Sequence, residues 1–182
     1  QAGCTFSQPY FYDGLTFGGV PFFVECAQAF NTTGDCENLR VCTVEGTTFS
    51  AIIQDALGSL FVVETPEYEA MAGMYSRGNC NVVSGGSMDL PGLVNAGEGI
   101  ISEFQIGTGV FSKEPIAIVT REDDPQFSSF VNWVLMSTIH AEREGITQST
   151  GESMPLVFSY GSLLSRIFRN GIQAIGNYAE LY

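Results

Sequence analysis

Residues 40–58 read RVCTVEGTTFSAIIQDALG, and their pattern decides the fold. Arg40–Val44 is a short apolar run suited to a strand. Glu45-Gly46-Thr47-Thr48 is a turn. Phe49–Leu57 then places Ile52, Ile53, Ala56 and Leu57 at helical spacing, and Gly58 stops the helix. The same rhythm continues. Leu60–Val63 predicts a strand. Thr65 caps a helix with Pro66 at its first position and Glu67 in its first turn, and Met71, Met74 and Tyr75 form its apolar stripe. Gly78 ends that helix, Cys80–Val83 is a third strand, and Ser84-Gly85-Gly86-Ser87 closes it. Strand–helix–strand–helix–strand in this order predicts a small parallel α/β unit.

The flanks extend this unit. Residues 1–19 are rich in glycine and aromatics, with Tyr10-Phe11-Tyr12 ahead of an Asp13-Gly14 turn. Val20–Glu25 reads as an apolar strand. Phe22 and Phe23 point to opposite sides of such a strand, which implies burial on both faces. Leu90–Ile101 predicts a short helix before a strand at Phe104–Ile106. After Lys113 the pattern changes. Ile116–Thr120 is extended, Asp124 caps a helix opened by Pro125, and Phe127, Phe130, Val131, Val134, Leu135 and Thr138 form one broad face that runs to Arg143. Thr147–Ser159 is loop-like. Ser162–Gly176 predicts another amphipathic helix, weakened by Gly171.

Composition narrows the function. The 182 residues carry 20 acids against 7 bases, a net charge of −13, and Lys113 is the only lysine. Such a surface repels phosphate, which argues against nucleic-acid binding and polybasic membrane docking. The longest apolar run, near Phe130–Ile139, falls short of the ~20 residues that a bilayer requires. No basic and then apolar leader opens the chain, so Gln1 reads as a mature or processed start.

Five cysteines are present: Cys4, Cys26, Cys36, Cys42 and Cys80. None forms a CxxC pair and the single histidine, His140, is remote, which argues against a zinc site; no metal is expected. Disulfides are the better reading, with buried reduced thiols as the other. Cys26 and Cys36 flank a polar loop that a bond between them would close. Cys42 and Cys80 lie on or beside two short strands that, as parallel neighbours, would bring them together. Cys4 is left over, free or bonded to a partner chain. The loop also holds the sequon Asn31-Thr32-Thr33, a candidate glycosylation site consistent with secretion.

No catalytic constellation emerges. There is no G-x-S-x-G, and His140 has no serine and aspartate at triad spacing. Gly14, Gly18 and Gly19 lack the strand–turn–helix frame of a dinucleotide fingerprint. Glu122-Asp123-Asp124 reads as negative charge at a helix N-terminus. Gly46-Thr47-Thr48 offers backbone N–H groups and hydroxyls to an anion or carboxylate, or else is a plain helix cap.

Several stretches, taken together, resemble the general and polar amino-acid-binding proteins of bacterial ABC importers, the type 2 periplasmic binding fold. They are Pro9–Gly14, Val41–Thr48, Gly78–Val82, Ser112–Ile116, the helix Phe127–Gly145 ending in Ala141–Thr147, and Gly176–Leu181, in the family's order. The resemblance implies a fold of α/β class, with a small parallel-sheet lobe followed by a mainly helical C-terminal segment. Residues 1–13 are then a crossover, 14–113 the second lobe, and 114–182 the returning segment, with the body of the first lobe absent. It further implies ligand contacts at Gly46, Thr47 and Thr48 and around Ser84 and Ser87. The family's ammonium-binding aspartate falls at Gly86 in this sequence, with Asp89 three residues on, and its carboxylate-binding arginine belongs to the absent lobe.

The expectation is a non-enzymatic secreted module, extracellular or periplasmic, without a cofactor. It would act through protein–protein assembly, with another chain covering the apolar faces at 127–135 and 163–175. The alternative is an amino-acid binder whose first lobe is a separate chain. An enzyme on this fold, such as a dehydratase, finds no support in the residues.

Overall fold

The computed structural model describes residues 3–96 and 103–181. In chain order the elements are β1 (Cys4–Phe6), β2 (Phe11–Asp13), β3 (Leu15–Gly19), α1 (Pro21–Gln28), β4 (Val41–Val44), α2 (Thr48–Leu57), β5 (Val62–Thr65), α3 (Tyr68–Ser76), β6 (Val82–Gly86), α4 (Leu90–Ala96), β7 (Gln105–Ile106), β8 (Glu114–Ile116), β9 (Val119–Arg121), α5 (Pro125–Arg143), α6 (Ile167–Ile175) and α7 (Tyr178–Leu181). They fall into two compact units, Tyr12–Pro115 and, separately, Gln1–Phe11 with Ile116–Tyr182. The chain passes between them in β2 and β8, which pair with each other.

The unit 12–115 is a five-stranded sheet in the order β5-β4-β6-β3-β7. The expected parallel core is present: β4 runs parallel to β5 (Val41↔Val62) and to β6 (Val41↔Val82). The sheet as a whole is mixed, because β3 enters antiparallel to β6 and β7 pairs antiparallel to β3. Alternation along the strands feeds two cores. Val41 and Val82 join Leu15, Phe17, Val24, Ala27, Ile53 and Leu57 under α1 and α2. Cys42 and Val83 join Met71, Tyr75, Leu90 and Leu93 under α3 and α4.

Three sequence expectations give way here. Val20–Glu25 is not a strand, and residues Pro21–Gln28 are helical. Pro21 sits at the helix N-terminus, where a missing N–H costs nothing and its fixed φ suits the helix. The helix also separates the two phenylalanines: Phe22 is exposed while Phe23 packs against the core. Thr65 does not cap α3. It is the last residue of β5, buried, with its hydroxyl donating to Thr43 O and Glu67 O, and the helix begins two residues later than Pro66 allows for. The strand expected at Leu60–Val63 starts at Val62, after a 3-10 turn over Ser59–Phe61. The helix expected over Leu90–Ile101 is described to Ala96; its remainder lies outside the described residues, except that the strand beyond it is found at Gln105–Ile106.

In the other unit, Asp124 caps α5 by accepting from Phe127 N at 2.9 Å, and Pro125 opens it. Beside it lies the β1–β9 ladder (Cys4↔Arg121), where the extended stretch expected over Ile116–Thr120 resolves into the ends of β8 and β9. The Ser162–Gly176 helix is shorter than its pattern: Ser162–Leu164 is a 3-10 turn, and Leu163 is 98% exposed. The apolar face expected at 163–175 therefore reduces to α6, where Ile172 is buried and Ile175 exposed. Thr147–Ser159, expected as loop, contains a 3-10 helix at Gln148–Ser153 that packs on α6. The buried core here is small: Ala141, Met154 and Ile172, with Ile146 and Phe168 against it.

Two disulfides join Cys26 to Cys36 and Cys42 to Cys80, and Cys4 is free and exposed. Their separations are 10 and 38 residues. Loop-closure entropy gives about 3 kcal/mol for the shorter bridge and about 4 kcal/mol for the longer. Replacing Cys42 and Cys80 together by alanine should therefore lower urea stability more than the paired replacement of Cys26 and Cys36. Equilibrium unfolding of the two variants checks the order.

Candidate functional site

The candidate site is built where β3 and β6 end side by side. Leu15 pairs with Gly86, so Asp13 and Gly14, just before β3, run opposite Ser87, just after β6. Ser87 N donates to Gly14 O at 3.1 Å. The Asp13 carboxylate is held by three donors on Oδ1: Gly14 N at 2.8 Å, Ser87 N at 2.8 Å and the Ser87 hydroxyl at 2.7 Å. This leaves Oδ2 turned across Gly86 towards Asp89.

Gly86 is where the resemblance would place an aspartate, and no side chain fits there. A Cβ on Gly86 would lie 2.1 Å from Asp13 Oδ2 and 2.9 Å from Asp89 Oδ2. Two carboxylates from other elements thus occupy the space a side chain at 86 would need. Asp89 is held above the ordinary carboxylate range, first by lost hydration and then by the negative charge of Asp13, with a hydrogen bond to the Gly86 backbone acting in the opposite direction. Tyr68, at the start of α3, flanks the same turn, and its ring would meet a Cβ on Gly85 at 3.2 Å. Its hydroxyl is buried without a hydrogen-bond partner among the described residues. Burial, then the Asp89 charge, push its pKa well up. The arrangement sets the Asp13 carboxylate beside exposed Asp89, a negatively charged pair suited to a cationic N–H group. Lys113 lies 4.5 Å over the ring of Tyr12, next to Asp13 in sequence.

The other residues singled out in the sequence behave differently. Gly46 has φ +70°, the left-handed conformation that a glycine allows at a strand-to-helix turn. The Thr47 hydroxyl is the N-cap of α2: it accepts from Ser50 N at 3.2 Å and donates to Val44 O at 2.7 Å. That side chain is engaged within the turn, while Thr48 is exposed at the first helical position. Ser84 is buried, its hydroxyl donating to Cys42 O at 3.1 Å, so it braces the sheet. Of the residues named in advance, Ser87 and Asp89 come together. Asp13 and Tyr68 were missed. Asp13-Gly14 reads as a turn, and only the antiparallel return of β3 beside β6 brings it to Ser87, 74 residues away. His140 is exposed near the C-terminal end of α5. Among the described residues no group of three or more His, Cys, Asp or Glu side chains is placed to hold a metal.

No family model matches the chain, and no curated protein does. Solved structures do. The structure of an ABC transporter / periplasmic binding protein from Brucella ovis with glutathione bound aligns at TM-score 0.80 and 22% identity, over 98% of this chain and 61% of its own. The holo arginine-binding protein of T. maritima aligns at TM-score 0.52 and 21% identity, over 91% and 62%. The GluR0 ligand-binding core in complex with L-glutamate aligns at TM-score 0.54 and 24% identity, over 77% and 62%. The chain spans about three fifths of the length of each of these.

A carboxyl with a raised folded pKa stabilises the fold while protonated, below its unfolded value near ~3.9, and loses that contribution as pH rises through the folded value. Asp89→Asn should therefore raise the melting temperature at pH 7, and the gain should vanish by pH 3. Partial solvation limits it to less than about 1 kcal/mol. Thermal melts of the two proteins across this range are the check.

The architecture, a mixed-sheet α/β unit with a helical unit that the chain leaves and re-enters, is the fold of the periplasmic binding proteins.

Proposed function

We propose that this chain is a non-enzymatic module of an extracellular or periplasmic compartment, equivalent to part of an amino-acid solute-binding protein, and that it works by assembly with another protein body seated on α5. One observation carries the reading. Of the 19 residues of α5, only Ser137, Thr138 and Ala141 are buried, all in its C-terminal half. Phe127 and Trp133 are 53% and 55% exposed on a helix whose neighbours Phe130, Val131, Val134 and Leu135 are only partly covered. Phe127, Phe130, Val131, Val134 and Leu135, with Tyr10, Ile175 and Tyr178, line an apolar groove of about 660 Å³, and Trp133 lines a second one with Met136 and Phe168. Burying each such side chain contributes about 1.5–3 kcal/mol, and the unit's own core of three residues cannot supply that cover. The two fifths of the Brucella ovis chain without a counterpart here is of the right order to provide a covering body. The exposed β1–β9 ladder, with Phe6 and Val119 outward, favours a partner that also adds a strand. The two disulfides support an oxidising compartment. Among the described residues no helix is long and apolar enough to cross a membrane.

A second reading is favoured by the Asp13–Asp89 carboxylate pair: a working binder of small amino acids whose other lobe comes from elsewhere. There the ligand's ammonium group would lie against Asp89 and Oδ2 of Asp13. The bound glutathione, arginine and glutamate of the similar structures all carry such a group.

Trp133 is the chain's one tryptophan, so its emission reports the cover of α5. Assembly predicts a species larger than 19.6 kDa by light scattering at micromolar concentration, with emission that shifts to the red on dilution. A monodisperse 19.6 kDa particle with unchanging emission would rule out assembly of the chain with itself. If the isolated chain is also not stabilised by co-purifying protein, the assembly reading fails. For the second reading, arginine or glutamate at a hundredfold excess over its Kd should add ~2.7 kcal/mol of stability. That gain should disappear in Asp13→Asn, whereas the assembly reading alone predicts no shift.

A further inference from the structure

We infer that Asn31 is an acceptor for an N-linked glycan, displayed on the loop between α1 and β4 of the 12–115 unit. The sequon is Asn31-Thr32-Thr33, and both Asn31 and Thr33 are exposed. The fold presents this sequon for modification. Asn31 follows Phe30, which is half-buried, three residues after the end of α1. Phe30, just before it, takes φ +49°, a left-handed turn that closes the helix with Phe30 N donating to Ala27 O and Asn31 N to Cys26 O. The Phe30 ring packs edge-on against Phe17 at 6.2 Å and Phe111 at 5.2 Å, inside the core. On the other side, the Cys26–Cys36 bond ties the loop down. Asn31 is thus held outward between two anchors.

Its carboxamide is already oriented. Oδ1 accepts from Thr33 N at 3.0 Å and from the Thr33 hydroxyl at 2.9 Å. Nδ2, the reacting atom, donates to no described residue, and the residue is exposed. The hydroxyl at position 33 therefore has a defined task that valine cannot perform. The donor is a glycan carried on a polyprenyl pyrophosphate. A bond forms from Nδ2 to the anomeric carbon, the bond from that carbon to the pyrophosphate oxygen breaks, the amide nitrogen loses one proton, and the polyprenyl pyrophosphate departs. No electrons are exchanged with an oxidant or reductant.

The loop runs on through the 3-10 turn Gly34–Asn38 to β4, where Arg40 N donates to Asn81 Oδ1 and Asn81 Nδ2 to Asn38 O.

The test is secretion of the full chain from a eukaryotic host, followed by peptide-N-glycosidase release in heavy-oxygen water and mass spectrometry of the peptide that ends at Arg40. The expected result is one glycan, with Asn31 recovered as a heavy-oxygen aspartate. It should be retained in Thr33→Ser and lost in Thr33→Val and in Asn31→Gln. Each variant should still yield the bonded Cys26–Cys36 peptide, which separates loss of the acceptor from loss of the fold. An unmodified peptide from the secreted, disulfide-bonded wild-type chain would overturn the assignment, as would sugar persisting in Asn31→Gln.

Discussion

The antiparallel ladder of β3 against β6 is the constraint on which the larger unit depends. All ten residues of the two strands are buried, and their register, Leu15 to Gly86 through Gly19 to Val82, admits no one-residue slip. A slip would turn Leu15 and Phe17 away from α1 and α2 and send Thr16 and Gly18 to the core in their place. Glycines allow the close approach. At Gly18 the ring of Phe104 stands 2.6 Å from where a Cβ would be, and at Gly19 the backbone carbonyl of Asn81 stands 2.4 Å away. The same register delivers Asp13 to Ser87. The sheet core and the carboxylate pair are therefore two products of one strand pairing.

What could be read in advance follows the range of the interactions. The β4–α2 passage was legible because its determinants are local: an apolar run, a glycine with positive φ, a threonine cap and a 3.6-residue stripe. The same holds for Asp124 and Pro125 at the start of α5. The disulfide pairing was legible because parallel neighbours limit where Cys42 can find a partner. Val20–Glu25 was misread because an apolar run of five residues suits a strand or a helix, and Pro21 tipped it towards the helix. The α6 stripe was misread because Leu163 continues the periodicity without continuing the hydrogen bonds. Asp13 at the candidate site was beyond reach, since its role depends on a partner in a strand 74 residues away.

The unit containing α5 is organised differently. Its polar ties are numerous. Glu152 holds Arg166 and Arg169, and the hydrogen bond to Arg166 is the main influence that lowers its pKa. Asn177 Nδ2 donates to Ile146 O at 2.8 Å, and the Tyr178 hydroxyl donates to Tyr10 O. These bonds fix geometry, yet exposed ion pairs contribute little net stability. With a buried core of three side chains, the unit is well specified and weakly held together. Edge-on contacts of Tyr160 with Phe130 and Phe168 extend the packing without closing it.

Lys113 stacked on Tyr12 has a chemical corollary. It supplies the only side-chain amine in a strongly acidic molecule, and it stands at the strand where the chain leaves the larger unit. Amine-directed acylation, biotin tethering or cross-linking would address one lysine at one known place. The protein is accordingly suited to attachment through a single lysine side chain.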